Sequence, residues 1–386
     1  MPLPPDNDLY IDTQNALIDL VEQHLAGTPW IAIDTEFIRE RSYRARLCLI
    51  QIATPERVGC IDPLSLSDLT PLREVFMNPH INKVLHASHQ DLEILYQVFG
   101  EVPTPVFDTQ VAAALLGQGE QIGYGRLVSE VLGVELDKNH ARTDWAQRPL
   151  EPVQIRYAAD DVRYLGEIYL RQKDTLKARD RLSWLDEDFA RLSDPASYII
   201  DPMSQWKRLR GIQRLQGVSL CAAQELAAWR EIQASKADRP RKWILPDDPL
   251  LDIARRMPET ENQLARIRGL PSKTLERHGK ALLECVQRAR SRPPAECPEP
   301  SRRPVLNPHQ EALADMLMAA LRIEAERHDI GVAMLATRSE IERLAYGEND
   351  LPILRGWRKR LAGETLCALR RGERALRYHE GRIEIE

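Results

Sequence analysis

The stretch Trp30-Ile-Ala-Ile-Asp-Thr-Glu-Phe37 constrains the fold of this chain more than any other. It opens with apolar and β-branched residues and contains no glycine or proline, so it predicts a buried β-strand. Side chains alternate across a strand, so Asp34 and Glu36 project from the same face. Two adjacent carboxylates at the end of a buried strand repel each other, and a bound cation would remove that cost. All-oxygen ligands favour Mg²⁺ or Mn²⁺ over zinc; the alternative is a strand end with two solvated acids.

The charge of the chain is unevenly distributed along its 386 residues. Residues 1–201 carry 19 Lys and Arg against 32 Asp and Glu, residues 202–295 carry 19 against 10, and residues 296–386 carry 15 against 16. An acidic first part followed by a basic second part favours a metal-dependent site beside a surface for polyanions. The alternative is a basic face that is only solvated.

The length and the cysteines bound the remaining possibilities. A chain of 386 residues predicts two or three domains. It contains no apolar run long enough to cross a membrane, and residues 1–6 lack the pattern of a secretion signal. Its six cysteines are scattered without a CxxC pair. We therefore expect reduced thiols, no zinc site and a cytoplasmic location.

Short strands and helices alternate through the first half of the chain. After a helix over 13–26, strands at 30–37, 47–53 and 58–62 are close enough in sequence to predict an antiparallel meander. Four helices then follow, at 69–76, 90–99, 107–116 and 125–132, and a further strand lies at 83–86. This order predicts a mixed sheet, an antiparallel meander and then parallel strands, with helices on both faces.

A third acid, Asp91, lies at a predicted helix start that follows a strand, where ligand sites of α/β sheets usually lie. The alternative is structural, because Ser88-x-x-Asp91 has the spacing of a capping box. The nearby His86 and His89 are better explained as packing or capping residues than as metal ligands, because no other soft ligand is close in sequence.

A fourth acid lies in a predicted helix over residues 152–169, which has Pro152 in its first turn. On a helical wheel, Asp161 lies at the edge of the apolar stripe, whereas Asp160 points nearly opposite and is expected to be solvated. Tyr157 lies one turn before Asp161, so both side chains can face the same point. Taken alone, Tyr157 is better explained as an ordinary half-buried tyrosine.

Taken together, these motifs resemble the DEDD exonuclease superfamily. The order Asp34-x-Glu36, Asp91 and Tyr157-x-x-x-Asp161 resembles its DEDDy branch, and within that branch the ribonuclease D family. The resemblance covers about residues 10–195, and it extends through three stretches between the second and third motifs: Phe107–Ala113, Leu136-Asp-Lys138 and Asp144-Trp-Ala-Gln-Arg-Pro-Leu150. It implies a ribonuclease H-like fold and removal of nucleotides one at a time from RNA 3′ ends.

The rest of the chain resembles small helical nucleic-acid-binding modules. Leu226-Ala-Ala-Trp-Arg230, Pro240–Pro246 and Leu264–Leu270 resemble an HRDC domain, and a Pro-rich stretch separates it from a second helical segment of similar order. The resemblance implies an exonuclease domain over 1–200, a basic HRDC domain over 201–292, a linker over 293–304 and a diverged HRDC-like domain over 305–386. The alternative for each module is a helical packing domain without a ligand.

The predicted chemistry is two-metal phosphodiester hydrolysis, with two divalent ions, Mg²⁺ or Mn²⁺. We expect Asp34 to contact both ions, Glu36 and Asp161 to complete the site of the ion that activates water, and Asp91 to hold the second. Tyr157, with an ordinary pKa near 10, is expected to orient the water.

The predicted partner is RNA with a single-stranded 3′ end, and the family resemblance implies tRNA precursors. Two alternatives stay open: a DNA-directed or mixed-substrate exonuclease, and a non-catalytic nucleic-acid-binding protein. The four intact acids weigh against the second alternative.

Overall fold

The structure, a computed structural model, describes residues 8–137, 143–299 and 305–386. These residues divide into two compact units. The first comprises residues 8–38, 47–198 and 305–386, and the second comprises residues 39–46 and 199–299. Residues 1–6, Lys138 and the last five residues of the predicted 293–304 linker lie outside the described residues. The predicted domain boundaries stay a prediction.

The first unit is built on a six-stranded mixed sheet with the strand order β1-β4-β3-β2-β5-β6. The strands are β1 (Leu9–Ile11), β2 (Trp30–Ile38), β3 (Arg46–Ala53), β4 (Val58–Ile61), β5 (Asn82–Leu85) and β6 (Val106–Asp108). β3 and β4 pair antiparallel, whereas β2, β5 and β6 run parallel to one another. The predicted fold class is confirmed. β1 and β6 were not predicted as strands, because three residues are too few to show a periodicity of two.

Eight helices accompany this sheet in the described part of the chain before residue 199. They are α1 (Gln14–Leu20), α2 (Thr70–Met77), α3 (His89–Phe99), α4 (Thr109–Leu115), α5 (Tyr124–Leu132), α6 (Pro152–Arg163), α7 (Leu165–Ala178) and α8 (Asp186–Leu192). The helix predicted over 13–26 changes to a π-helical turn at Val21–Leu25. The helix predicted over 152–169 is interrupted at Tyr164, between α6 and α7.

The second unit is helical, as predicted. Its helices are α9 (Gly217–Ala237), α10 (Arg241–Ile244), α11 (Asp247–Arg256), α12 (Glu261–Leu264) and α13 (Ser272–Ser291). They enclose their own apolar core. The prediction of reduced thiols is wrong for one pair, because Cys221 and Cys297 form a disulfide with their Cα atoms 5.4 Å apart. The two residues are 76 positions apart, so no local spacing could reveal the bond.

The last part of the first unit contains α14 (Pro308–Arg327), α15 (Val332–Leu335), α16 (Arg338–Tyr346), α17 (Gly356–Arg358), α18 (Glu364–Arg371) and a hairpin of β7 (Leu376–His379) and β8 (Arg382–Ile385). Its apolar side chains belong to the same buried cluster as those of the sheet. Trp357 stacks on Trp184 with ring centroids 4.8 Å apart, and the N–H of Gly331 donates to the carbonyl of Ala114 at 2.8 Å. Residues 305–386 therefore complete the core of the sheet unit.

An HRDC-like identity for residues 305–386 stays a prediction. Within the described ranges, no helix has the length and apolarity needed to cross a membrane.

Candidate active site

The first two acids lie where β2 leaves the core. Residues 30–33 are buried, Asp34 and Glu36 are half-buried, and Thr35 between them is buried on the other face. Burial, together with the charges of Asp91, Asp161 and Glu36, raises the pKa of Asp34 well above its ordinary value. Burial and the charges of Asp161 and Asp91 raise the pKa of Glu36 to about 8. The two strand acids therefore share one electrostatic environment with the two acids from helices.

Asp91 lies in the first turn of α3 and is buried. Its carboxylate accepts a hydrogen bond from the hydroxyl of Thr35 at 2.5 Å, which links α3 directly to β2. Burial raises its pKa to about 6, although the Thr35 hydrogen bond acts in the opposite direction. The capping-box alternative fails, because Ser88 makes no side-chain cap and its hydroxyl donates to Asp108 at 2.8 Å. Asp91 therefore forms no capping box with Ser88.

Asp161 and Tyr157 lie one turn apart on α6, both half-buried. Burial raises the pKa of Asp161 to about 7, with a further contribution from the charge of Asp160. Burial and then the charges of Asp161, Glu36 and Asp34 raise the pKa of Tyr157. The Tyr157 side chain therefore faces the same acids as Asp161.

The expectation that Asp160 is simply solvated is wrong. Its carboxylate is half-buried and accepts from the Arg163 Nε at 2.8 Å, and Arg163 also pairs with Asp8. This ion pair gives Asp160 a role on the flank of α6, whereas Asp161 interacts with the other acids.

An ion pair that the sequence did not reveal holds the segment 144–150 beside this site. Arg148 donates to both carboxylate oxygens of Asp62 at 2.7 Å and to the carbonyl of Cys48 at 2.7 Å. Burial opposes ionisation of Asp62, but hydrogen bonds from Arg148, Tyr10 and Ser65 outweigh it and lower its pKa to about 2. The two partners are 86 residues apart, so the only sequence signal was the family-like stretch itself.

The segment 144–150 places Trp145 at the site. Trp145 is buried and stacks on Tyr157, with ring centroids 6.3 Å apart and an interplanar angle of 29°. This contact fixes the plane of the Tyr157 ring.

Both histidines near the site have packing roles, in line with the interpretation from sequence. The ring nitrogens of His86 lie 2.9 Å from the Thr109 hydroxyl and 2.9 Å from the Ile122 carbonyl. The His89 ring packs on Tyr198 with centroids 5.3 Å apart.

The donor set fits hard divalent cations. Asp34, Glu36, Asp91 and Asp161 offer carboxylate oxygens and no sulfur or imidazole, which is the chemistry that Mg²⁺ and Mn²⁺ prefer. Their raised pKa values show that four negative charges here are costly without a compensating cation. Across residues 8–137, 143–299 and 305–386, no three acidic, His or Cys side chains are grouped closely enough to hold one ion.

Two family models and several relatives match this chain. A family model described as 3′–5′ exonuclease matches residues 9–177, which contain all five candidate site residues, and the HRDC domain matches residues 220–286. A ribonuclease D of Granulibacter bethesdensis is 39% identical over 94% of this chain and 92% of its own length. A ribonuclease D of Sphingobium indicum is 40% identical over 94% of each.

The solved structures include a similar protein of nearly the same extent. The crystal structure of Escherichia coli RNase D, an exoribonuclease involved in structured RNA processing, matches with a TM-score of 0.83 at 33% identity. The match covers 95% of this chain and 99% of that one.

Proposed function

Since the chain belongs to the ribonuclease D family and is a 3′–5′ exoribonuclease, we propose that Asp34, Glu36, Asp91 and Asp161 bind two divalent metal ions, Mg²⁺ or Mn²⁺. The observation that carries the proposal is the effect of the neighbouring carboxylates on the two strand acids. Burial and then the charges of Asp91, Asp161 and Glu36 raise the pKa of Asp34, and burial and then the charges of Asp161 and Asp91 raise that of Glu36. Two cations would neutralise this cluster.

The four carboxylates would form two metal sites that share one ligand. Asp34 interacts with the other three acids and is therefore the residue to contact both ions. Glu36 and Asp161 would complete one site, and Asp91, held by the Thr35 hydroxyl, would complete the other. When bound, the ions would lower the pKa of the attacking water and stabilise charge on the phosphate and the leaving 3′-oxygen.

Tyr157 would act as a hydrogen-bond donor. Its pKa is raised by burial and by the neighbouring carboxylates, so the hydroxyl keeps its proton at neutral pH and cannot serve as a general base. The stacked Trp145 holds the ring in one orientation. The hydroxyl can therefore fix the position of the attacking water. Tyr157→Phe should lower kcat roughly 10²–10⁴-fold and leave KM nearly unchanged.

The test is release of nucleotides from 3′-labelled single-stranded RNA with and without Mg²⁺. Asp34→Ala and Asp161→Ala should abolish release while the proteins still bind RNA, because each loses a metal ligand. Asp160→Ala is the matched control and should keep near-full activity, since its carboxylate pairs with Arg163. Activity that depends on Asp160 and survives Asp161→Ala would refute the assignment of ligands.

We propose that the substrate is RNA with a single-stranded 3′ end, tRNA precursors in particular, and that the reaction takes place in the cytoplasm. The same assay with a 3′-labelled DNA of equal sequence separates an RNA enzyme from a DNA-directed or mixed-substrate one. A protein that binds both and releases nothing would instead be a non-catalytic binding protein.

The second unit offers a surface for the RNA backbone. A cavity of about 720 Å³ in this unit is lined by five arginines: Arg210, Arg214, Arg255, Arg256 and Arg268. Arg255 and Arg256 pair with Asp252, at 3.6 and 3.0 Å, whereas the other three make no ion pair with any described residue. Exposed guanidinium groups at a concave surface suit phosphates.

The arginine cavity is tested through the salt dependence of binding. Replacing Arg210, Arg214 and Arg268 by Gln in the full chain should flatten the slope of log K against log[salt] for a tRNA-sized RNA, by roughly 0.7–0.9 per lost phosphate contact. Cleavage of a short oligonucleotide should change little. An unchanged slope would make this unit a packing or protein-interaction domain.

A further inference from the structure

The helix that carries Asp161 is interrupted immediately after it. In an uninterrupted α-helix the N–H of Tyr164 would donate to the carbonyl of Asp160. Here the Tyr124 hydroxyl takes the intervening position: it accepts from the Tyr164 N–H at 3.3 Å and donates to the Asp160 carbonyl at 2.9 Å. α6 ends at Arg163 and α7 begins at Leu165. A side chain inserted into the helical hydrogen-bond ladder is an established cause of a kink.

The inserted hydroxyl is held in place from outside α6. Tyr124 is the first residue of α5 and its ring packs on His86, with centroids 5.7 Å apart. His86 is itself fixed through both ring nitrogens, at Thr109 and at the Ile122 carbonyl two residues before Tyr124. Burial and the charge of Asp161 raise the pKa of Tyr124 well above its ordinary value, so the hydroxyl stays a donor. The position of the break is therefore imposed on α6 by Tyr124 of α5 and by His86, the residue that follows β5.

We infer that Tyr124 is a positioning residue for the metal ligand Asp161: its hydroxyl holds α6 open at Asp160 and so sets the direction in which the next carboxylate points. The inference rests on the proposed function, because it assumes that Asp161 binds a metal ion. Asp161 is adjacent to the carbonyl that the hydroxyl holds. Groups that orient a metal ligand typically contribute 10–100-fold to metal affinity or activity.

Removal of the hydroxyl should let the helix close. In Tyr124→Phe, the Tyr164 N–H can bond to the Asp160 carbonyl directly, which straightens the helix and moves the Asp161 carboxylate away from Asp34 and Glu36. We expect Mn²⁺ affinity to fall about tenfold or more, and kcat at saturating Mg²⁺ to fall roughly 10–10²-fold, with KM for RNA within about twofold. Mn²⁺ binding is measured by calorimetry on the full chain without RNA, so it does not depend on turnover.

The matched control is Tyr198→Phe. Tyr198 is a buried tyrosine of the sheet unit, and its hydroxyl, like that of Tyr124, donates to a backbone carbonyl, that of Leu192 at 2.6 Å. This variant loses a comparable hydrogen bond but should keep wild-type Mn²⁺ affinity and kcat. If both variants lose the same Mn²⁺ affinity, or if Tyr124→Phe binds Mn²⁺ and turns over as the wild type does, the inference is overturned.

A rescue experiment keeps the inference testable if Tyr124→Phe folds poorly. 4-Aminophenylalanine at position 124 can donate and accept at nearly the place of the hydroxyl, so it should restore most of the Mn²⁺ affinity and kcat. A folded protein with this residue that still binds Mn²⁺ tenfold more weakly would refute the role of the inserted group. Failure of the proposed function looks different: the wild type and Asp34→Ala would then bind Mn²⁺ equally.

Discussion

The close approach of Gly166 of α7 to Trp30 of β2 predicts that Gly166→Ala destabilises the protein and lowers its activity. A Cβ atom at position 166 would lie 1.9 Å from the Cη2 atom of Trp30, whereas an ordinary contact is 3.4–4 Å. In Gly166→Ala, the ring or the helix must therefore move by about 1.5 Å. Trp30 has little freedom to do so, because it is buried and packs edge-to-face on Tyr169 at 6.3 Å.

Two opposing effects set the magnitude for Gly166→Ala. Alanine favours a helix over glycine by about 1 kcal/mol, while overpacking of a core costs roughly 1–3 kcal/mol and sometimes more. A clash with a rigid indole lies at the upper end, so we expect a net loss of about 1–3 kcal/mol. Trp30 precedes Asp34 by four residues on β2, and Gly166 of α7 follows Asp161 of α6 by five residues. A shift of about 1 Å between β2 and α7 should therefore lower kcat roughly 10²-fold.

The assay is urea unfolding of the metal-free protein together with turnover at saturating RNA and Mg²⁺. Gly125→Ala is the control, because Gly125 lies in helix α5 with open space around its missing Cβ. It should be as stable as the wild type or slightly more stable, and fully active. Trp30→Phe should partly rescue Gly166→Ala, which a double-mutant cycle would detect. Wild-type stability and turnover in Gly166→Ala would refute the reasoning.

Three further predictions concern charges and buried polar groups. Arg148→Met leaves Asp62 buried without its partner and should lower the free energy of unfolding by roughly 3–5 kcal/mol. Since the folded-state pKa of Asp62 is about 2, the stability that this pair gives the wild type should persist above pH ~4 and vanish as the pH falls through 2. Unfolding of the variant should lack this loss of stability between about pH 4 and 2. Mn²⁺ binding at pH 7 should release protons, and Mn²⁺ affinity should rise between about pH 6 and 8, because the pKa values of Glu36 and Asp161 are about 8 and 7. Calorimetry in two buffers of different ionisation enthalpy measures the number of protons released. Release of no protons would contradict the prediction. Lys83→Met should cost roughly 2–4 kcal/mol in urea unfolding, because the buried ammonium donates to three backbone carbonyls that would lose their partner, and a loss below about 1 kcal/mol would contradict this.

The features that local pattern encodes were predictable from the sequence. The alternation on β2 places Asp34 and Glu36 on one face, and the helical wheel distinguishes Asp161 from Asp160. Both depend only on the period of a strand or a helix. The capping-box spacing of Ser88 and Asp91 is equally local, but no capping box forms. The Ser88 hydroxyl donates instead to Asp108, which is 20 residues away in sequence.

The features that depend on distant partners were not predictable. Tyr124 reaches the Tyr164 N–H across 40 residues, and the helical pattern of 152–169 gives no sign of the break. Arg148 likewise finds Asp62 across the fold. Such contacts are set by tertiary packing, which a single sequence expresses only through residue types that many local structures tolerate.

The shared core of the sheet and residues 305–386 bears on how the chain folds during synthesis. The apolar partners of Trp184 and of its neighbours in that core leave the ribosome only after the whole 199–299 segment. Contacts of such large sequence separation form late. The basic unit can therefore be folded while the exonuclease unit is still incomplete. Nuclease activity should then begin only after residues 305–386 have left the ribosome and joined the core of the sheet unit.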